Sequence, residues 1–229
     1  MKKTKAKRII ISVILAVLII GFSIIIYASG AIITNPTTIT FTDNNLYETI
    51  KKQLKSKKIA FNENDTEQTI EVSKDDISNI SELTLQGVNN VKISDLTGLQ
   101  NFSDLTTLNL SGNTITNADS ISGLSKIQNL NLADNPANDS ILKTVSKLTS
   151  LKELNMSNTQ LNGDQLTNFK TLTNLQKLVI SKNNISSVES ISTLSGLTSL
   201  DLSINKSFTD FKQLTTFSKL TELNVSGTG

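Results

Sequence analysis

Leucine and isoleucine recur at a fixed spacing through the last two-thirds of the 229-residue chain. The spacing is LxxLxLxxN, and LTTLNLSGN at residues 105–113 is a complete copy in which apolar and polar residues alternate, as in a short half-buried strand. Intervals of 22 to 25 residues separate the copies, which begin at Ile80, Leu105, Ile127, Leu151, Leu175, Leu197 and Leu220. The pattern predicts a solenoid whose coils, numbered one to seven from these residues, stack their strands into one parallel sheet.

The second half of each coil predicts short helical turns on the side opposite the strands. In coil two, Ile115, Ile121 and Leu124 follow the strand at multiples of three residues, and coil five repeats these offsets. Such spacing is typical of short 3-10 turns. The predicted fold class is therefore an α/β solenoid, with parallel strands on its concave face and short 3-10 or helical turns on its convex face.

Asparagine ends the strand motif in four of the coils. A buried amide at this position can bond backbone groups of its own coil and of adjacent coils, so we expect a structural ladder rather than a ligand site. The ladder residues are Asn113, Asn135, Asn183 and Asn205. Val88, Thr159 and Thr228 occupy the same position in the other coils, where we expect looser turns.

Residues 1–33 form a segment that the pattern assigns to the membrane. Residues 9–26 contain no charge and follow five cationic residues, which favours an uncleaved signal anchor, a hydrophobic helix with its cationic end inside. The alternative is a signal peptide cleaved near residues 28–30, whose small side chains suit cleavage. Residues 34 onward would then face the outside of the cell membrane, or be secreted if cleavage occurs.

Three further segments follow the membrane segment. We predict an extended linker at 34–42, a small helical cap at 43–79 and the repeats at 80–229. The cap prediction depends on Leu46, Ile50 and Leu54, which share one face of a helix. The last coil stops one residue after its ladder position, so we expect it to be truncated or its exposed end to be covered by another chain.

The composition excludes several kinds of chemistry. Without Cys or His, the chain has no disulfide, no thiolate nucleophile, no His-activated serine and no usual zinc ligand. The carboxylates of the repeats lie on separate coils without a pocket, so we expect no enzyme activity, metal site or cofactor. After the five N-terminal cations, 17 Lys face 20 acidic residues. The region after residue 8 is therefore slightly acidic and lacks the basic stripe that binding of nucleic acid requires.

The chain resembles leucine-rich repeat proteins and, more narrowly, the internalin family of bacterial surface proteins. The resemblance is carried by the repeated motif, by the run ISDLTGLQNFSDL at residues 93–105 and by the helical segment before the first repeat. It covers about residues 40–229. In that family a similar helical segment caps the repeat core, and different members bind different ligands. The resemblance implies a surface-displayed adhesion module and leaves its partner open.

The outward positions of the strands form three columns on the concave face, two, four and six residues after the start of each coil. The first two columns carry amides, hydroxyls and a few charges, without an aromatic residue. We expect ligand contacts at Glu82, Thr107, Asn109, Asn129, Asn131, Glu153, Asn155, Lys177, Asp201 and Glu222. The third column consists of Gln86, Ser111, Ala133, Ser157, Ser181, Ser203 and Ser226.

The expected function is non-catalytic binding of a surface protein or glycan by a monomer, as in adhesion to a host or neighbouring cell. The columns lack the Trp, Tyr and Arg side chains that anchor most tight protein interfaces. A passive role is therefore the alternative. In that case the repeats are an envelope scaffold or spacer without a ligand, and the function lies in a further C-terminal part.

Overall fold

A computed structural model describes residues 24–26 and 32–229 of the chain. Most of the predicted membrane segment therefore lies outside the described residues. The described part is not helical, because strand β1 (Ile24–Ile26) pairs antiparallel with β2 (Ile32–Thr34). Consecutive β-branched isoleucines favour strands. The predicted helix is therefore wrong for its last three residues, which form β1. No helix within the described residues is long and apolar enough to cross a membrane.

The N-terminal cap joins a helix to a small antiparallel sheet of order β3-β5-β4. Its elements are β3 (Pro36–Thr40), α1 (Asn44–Ser56), β4 (Phe61–Asn64), β5 (Thr69–Ser73) and α2 (Lys74–Ser78). The predicted apolar face of α1 is buried, and Leu46, Ile50 and Leu54 belong to the same core as the repeats. The cap thereby covers coil one, where Gln53 Nε2 donates to the carbonyl of Thr84 at 3.1 Å.

The structure of the cap differs from the prediction in two ways. Residues 34–42 are not a free linker, because β3 pairs along its whole length with β5 and buries Ile39. A proline is tolerated as the first residue of such an edge strand. Residues 43–79 are only partly helical, because β4 and β5 form a hairpin that buries Ile70 and Val72. The alternation of these two residues with polar ones is a strand pattern.

The repeats build one parallel sheet of seven strands in sequence order, as predicted. The strands are β6 (Glu82–Thr84), β7 (Thr107–Asn109), β8 (Asn129–Asn131), β9 (Glu153–Asn155), β10 (Lys177–Val179), β11 (Ser199–Asp201) and β12 (Glu222–Asn224). Each begins two residues after the start of its coil, and equivalent residues pair across every ladder. The three columns are therefore in register across the sheet.

The apolar positions of the motif form the core between the sheet and the convex side. In coils one to six every such side chain is 2% exposed or less. Coil seven differs, because Leu223 is 47% exposed whereas Leu200, at the same position one coil earlier, is 1% exposed. The difference follows from the solenoid, in which each coil is covered by its neighbours.

Short helical turns occupy the convex side, as predicted. They are 3-10 turns at Leu99–Asn101, Asp119–Ile121, Asp164–Phe169, Glu189–Ile191 and Phe211–Thr216, and the helix α3 (Asp139–Val145). They bury the second-half apolar residues of the coils, such as Ile121 and Ile191. The sheet and these turns together make the layered core that holds the concave face in place.

Each ladder asparagine bonds the backbone of its own coil and of the coil before it. Asn205 Nδ2 donates to the carbonyls of Leu202 and Ile180, and its Oδ1 accepts from the N–H of Ile185. Asn113, Asn135 and Asn183 make equivalent bonds. One amide thus satisfies buried donors and acceptors of two coils, which places these residues in the framework rather than on the ligand-facing surface.

The departures from asparagine do not all give looser turns. Thr159 is 1% exposed, and its hydroxyl donates to the carbonyl of Met156 at 2.9 Å, which replaces the bond that asparagine makes within its own coil. Thr228 donates to Val225 in the same way at 2.7 Å. Val88 has no side-chain donor and is 56% exposed, so the ladder bond within its own coil is missing there.

The residue before the ladder position has a positive φ angle in coils two to seven. These residues are Gly112, Asp134, Asn158, Lys182, Ile204 and Gly227. Such a left-handed conformation suits Gly, Asn and Asp but is strained for a β-branched side chain. Ile204 has a φ of 58° and is 46% exposed, so burial offsets little of this strain.

Ile204→Asn is expected to raise the free energy of unfolding by about 1 kcal/mol, because asparagine tolerates the left-handed conformation better. Urea denaturation of the full chain in a nonionic detergent, followed by far-UV circular dichroism, measures the change. Lys182→Asn is the matched control, and its gain should be smaller because lysine is not β-branched. A loss of stability in Ile204→Asn would show that the packing of Ile204 outweighs its strain.

Candidate binding face

The concave face brings most of the predicted ligand residues onto one continuous surface. Neighbouring strands lie about 4.8 Å apart, and the first and second columns stay in register from coil to coil. Coils two to six place together Thr107, Asn109, Asn129, Asn131, Glu153, Asn155, Lys177 and Asp201. Glu82 and Glu222 lie on the first and last strands of the sheet and extend this surface, since Glu82 pairs in register with Thr107 and Glu222 lines a depression together with Lys177 and Asp201.

The charged side chains of this surface are not paired with one another. Lys177 is the register neighbour of Glu153, but the ion pairs of the described residues lie elsewhere, in the cap and between Lys126 and Asp104. Glu153 and Lys177 are exposed, and Asp201 is half-buried. These groups are therefore free to pair with charges on a partner.

Two shallow depressions occupy the concave face. The first has a volume of about 280 Å³ and runs from coil two to coil five, over Asn109, Asn131 and Asn155. The second has a volume of about 600 Å³ and covers the strands of coils five to seven, including Asp201. Lys177 and Val179 line both depressions, so coil five is where they meet. A partner lying across this face would contact coil five.

The Asn and Asp side chains of the second column have a structural role that the sequence pattern alone does not predict. Asn109 Oδ1 accepts from the backbone N–H of Ser111 at 3.0 Å, which closes a tight turn at the end of the strand. Asn131, Asn155, Asp201 and Asn224 make the same bond to the residue two positions later. The Nδ2 groups of the asparagines remain available, so this column offers a partner mainly hydrogen-bond donors.

The third column is buried in coils two, three, five and six, half-buried in coil four and exposed in the first and last coils. Ser111, Ser181, Ser203 and Ala133 are 6–8% exposed. In coils two, three and six the second-column side chain also accepts a hydrogen bond from the backbone N–H of this residue. Contacts made by side chains with a partner therefore fall mainly on the first two columns.

Among the described residues, the densest cluster of charges lies in the cap. Lys51 Nζ is within 2.7–3.0 Å of carboxylate oxygens of Glu48, Glu63 and Asp65, and Tyr47 donates to Asp65 at 2.8 Å. Burial opposes the charged form of Lys51, but the three carboxylates raise its pKa. Burial and the bond to Asp65 raise the pKa of Tyr47 to about 12. These contacts join α1 to the hairpin β4–β5, which is a structural role.

The chemistry available on the concave face is that of binding. Glu153 and Asp201 lie two strands apart, about 10 Å, with Lys177 between them, so they do not form an acid–base pair. Within the described residues, no group of three or more His, Cys, Asp or Glu side chains could hold a metal ion. What the face presents is an open row of amide donors and unpaired charges.

A sequence signal for the second-column turns does exist. The spacing of Asn109 from Ser111, an Asn followed two residues later by a small residue, returns in most coils and is typical of a side chain that caps a backbone N–H. The departures at Thr84 and Val179 are visible in the sequence as well. The departure at Val179 becomes informative only once the other side chains of this column are known to cap a backbone N–H.

Comparisons with known proteins agree with this fold. Residues 149–206 match the family described as Leucine rich repeat, and residues 104–124 match a second family of the same description. No curated protein matches the sequence.

Similar solved structures include two leucine-rich repeat proteins with TM-scores above 0.5, which agree with this fold. Internalin C2 from Listeria monocytogenes is similar with a TM-score of 0.61 and 25% identity, over 82% of this chain and 86% of that chain. A leucine-rich repeat protein from Leptospira interrogans has a TM-score of 0.53 and 25% identity, over 69% of this chain and 40% of that chain. A second Listeria monocytogenes internalin, inlF, has a TM-score of 0.47 and 20% identity, over 82% and 70% of the respective chains.

Proposed function

Because the chain is an internalin-like bacterial leucine-rich repeat protein, we propose that it is an exported, cell-surface module that binds a protein or glycan on its concave face. Leucine-rich repeat proteins of internalin type are generally protein-interaction modules and non-enzymatic scaffolds. The observation that carries the proposal is the unpaired charge on coils four to six, at Glu153, Lys177 and Asp201. An open row of charges and amides is suited to a hydrophilic partner.

Surface location is part of the same proposal. Residues 9–26 are apolar and follow five cations, which supports export with the repeats outside. The chain is then held in the cell membrane by its N-terminal segment, or it is secreted if that segment is cleaved. Adhesion to a host or neighbouring cell is the function that best combines this location with the repeat face.

The proposal is tested by reversing the charges of the concave face. The full chain in a nonionic detergent is immobilised and used to capture surface proteins and a glycan array. The binding of each captured partner is then measured for a variant carrying Glu153→Lys, Lys177→Glu and Asp201→Lys. We expect at least tenfold weaker binding, because each reversed charge removes a pairing and adds a repulsion.

The matched control reverses exposed charges of the convex side, with Asp164→Lys, Lys170→Glu and Glu189→Lys. This variant should bind as the parent does. Binding that survives the concave reversal unchanged would remove the concave face from the proposal. The passive scaffold or spacer is the second candidate, favoured by the absence of aromatic residues from the columns, and it predicts no specific partner in the capture step.

A further inference from the structure

Coil five differs from its neighbours in how the third-column N–H is satisfied. In coils two, three, four, six and seven this N–H donates to the Oδ1 of the second-column Asn or Asp, at 2.8–3.1 Å. Coil five has Val179 in the second column, and valine has no acceptor. Among the described residues, the N–H of Ser181 consequently has no hydrogen-bond partner.

The other backbone polar group of Ser181 is fully used. Its carbonyl accepts from the N–H of Asn158 at 2.9 Å and from Nδ2 of the ladder residue Asn183 at 3.2 Å. Coil one also lacks a capping amide, since Thr84 precedes Gln86, but Gln86 is exposed to water at the edge of the sheet. Ser181 is 8% exposed, in the interior of the sheet. An unpaired backbone donor in such a position is uncommon in folded proteins.

The groups around Val179 show what this donor can receive. Asn155 is the register neighbour of Val179; its Oδ1 accepts from the N–H of Ser157, and its Nδ2 is free. Lys177, on the same strand as Val179, has an unpaired ammonium. Three donors therefore surround a small apolar side chain at the meeting point of the two depressions. The matching ligand group is an oxygen acceptor that lies beside an apolar group.

The charges around Val179 favour a neutral acceptor group over an anionic one. Glu153 pairs in register with Lys177, and Asp201 pairs in register with Val179, so two carboxylates stand beside one ammonium. This negative balance disfavours an anionic group. A neutral carbonyl is accepted without that repulsion, and an extended polypeptide presents carbonyls at regular spacing next to side chains.

We infer that coil five is the part of the concave face that recognises the partner. There the N–H of Ser181 donates to a main-chain carbonyl of an extended segment of a partner protein. A small apolar side chain of that segment packs on Val179, and Asn155 and Lys177 donate to its other oxygens. The inference rests on the proposed function and narrows its partner from protein or glycan to polypeptide. Val179 is then a specificity residue, because it leaves free the donor that an asparagine would occupy.

The test follows the Ser181 amide by NMR in the ¹⁵N-labelled full chain in a nonionic detergent. The probes are acetyl-trialanine amide as the peptide, acetate as the anion and maltotriose as the carbohydrate. Val179→Asn supplies the missing cap, as asparagine does in other coils, and Val179→Ala is the control that leaves the N–H free. We expect the peptide to shift the Ser181 resonance in the parent. Val179→Ala should give the same shift with an affinity reduced only by the lost packing contact, and Val179→Asn should bind with at least tenfold weaker apparent affinity. Without a probe, the Ser181 amide should exchange its hydrogen at least tenfold faster than that of Ser203.

Several results would overturn the inference. They are a larger Ser181 shift with acetate than with the peptide, a shift with maltotriose alone, no shift with the peptide, or an unchanged response in Val179→Asn. Peptide shifts at the side-chain amides of Asn109 and Asn131 without one at Ser181 would overturn the inference and leave the proposed function standing. Partner binding that survives the charge reversal would instead overturn the proposed function, whatever Ser181 does.

Discussion

Asn183→Ala is expected to lower the free energy of unfolding by about 3–5 kcal/mol, since each buried polar group left unpaired costs about 1–3 kcal/mol. The side chain is 7% exposed, and its Oδ1 accepts from the N–H groups of Thr159 and Leu161. Its Nδ2 donates to the carbonyls of Met156 and Ile180 at 2.8 and 3.0 Å. Alanine removes all of these bonds at once, in the middle of the solenoid.

Urea denaturation of the full chain measures the loss, and Asn184→Ala is the matched control. Asn184 is the next residue and is exposed, and its side chain makes no hydrogen bond among the described residues. The control should lie within about 0.5 kcal/mol of the parent, as surface substitutions usually do. Equal effects of the two substitutions would show that water satisfies the orphaned groups and that the ladder is not a source of stability.

The ladder also shows what a sequence can predict in this fold. Asn183 and its equivalents were identifiable because the same amide recurs at one position beside fixed leucines, and stacked coils have one arrangement in which such an amide is buried. The strands follow for the same reason, since Leu108 and Leu110 can be buried together only on one face. Repetition converts a weak local pattern into a strong one.

The cap escaped prediction because it is not repeated. Pro36–Thr40 reads as a polar linker on its own, and it becomes a strand only through pairing with Thr69–Ser73, about thirty residues away. The pairing buries Ile39, whose side chain gives no local signal of its partner. Long-range pairing of this kind overrides local propensity.

The concave face was predicted in its position but not in its chemistry. The sequence places Asn109 and Val179 in the same column, but it does not show that asparagine there spends its oxygen on the backbone. Only after that bond is known does Val179 stand out as a residue that frees the N–H of Ser181. The partner stays a proposal because the columns present donors and charges that several hydrophilic surfaces could match.

Asp43 is the second residue whose loss should be costly, because it joins the cap to the repeats. Its Oδ1 accepts from the N–H groups of Asn45 and Leu46 at 2.9 and 3.0 Å, which caps the start of α1. Its Oδ2 accepts from the N–H and the hydroxyl of Ser94 at 2.7 and 2.8 Å, and from the N–H of Asp95 at 3.3 Å. One carboxylate therefore holds the helix against the first coil.

Asp43→Ala should lower the free energy of unfolding by about 2–4 kcal/mol at pH 7, the sum of a lost helix cap and of lost charged hydrogen bonds. Burial favours the neutral form of Asp43, but the bonds from Ser94, Leu46 and Asp95 lower its pKa below the ordinary value of 3.8. A lowered folded-state pKa gives stability that is present above the unfolded pKa and is lost as the pH falls through the folded one. The difference in the free energy of unfolding between the parent and Asp43→Ala, measured by urea denaturation from pH 7 down to pH 2, should therefore shrink below about pH 3.8.

Asp164→Ala is the control, since this aspartate is exposed and its side chain has no hydrogen bond among the described residues. A difference that grows as the pH falls would contradict the assignment, because it would mean that the protonated carboxyl is the form that holds the cap to coil one.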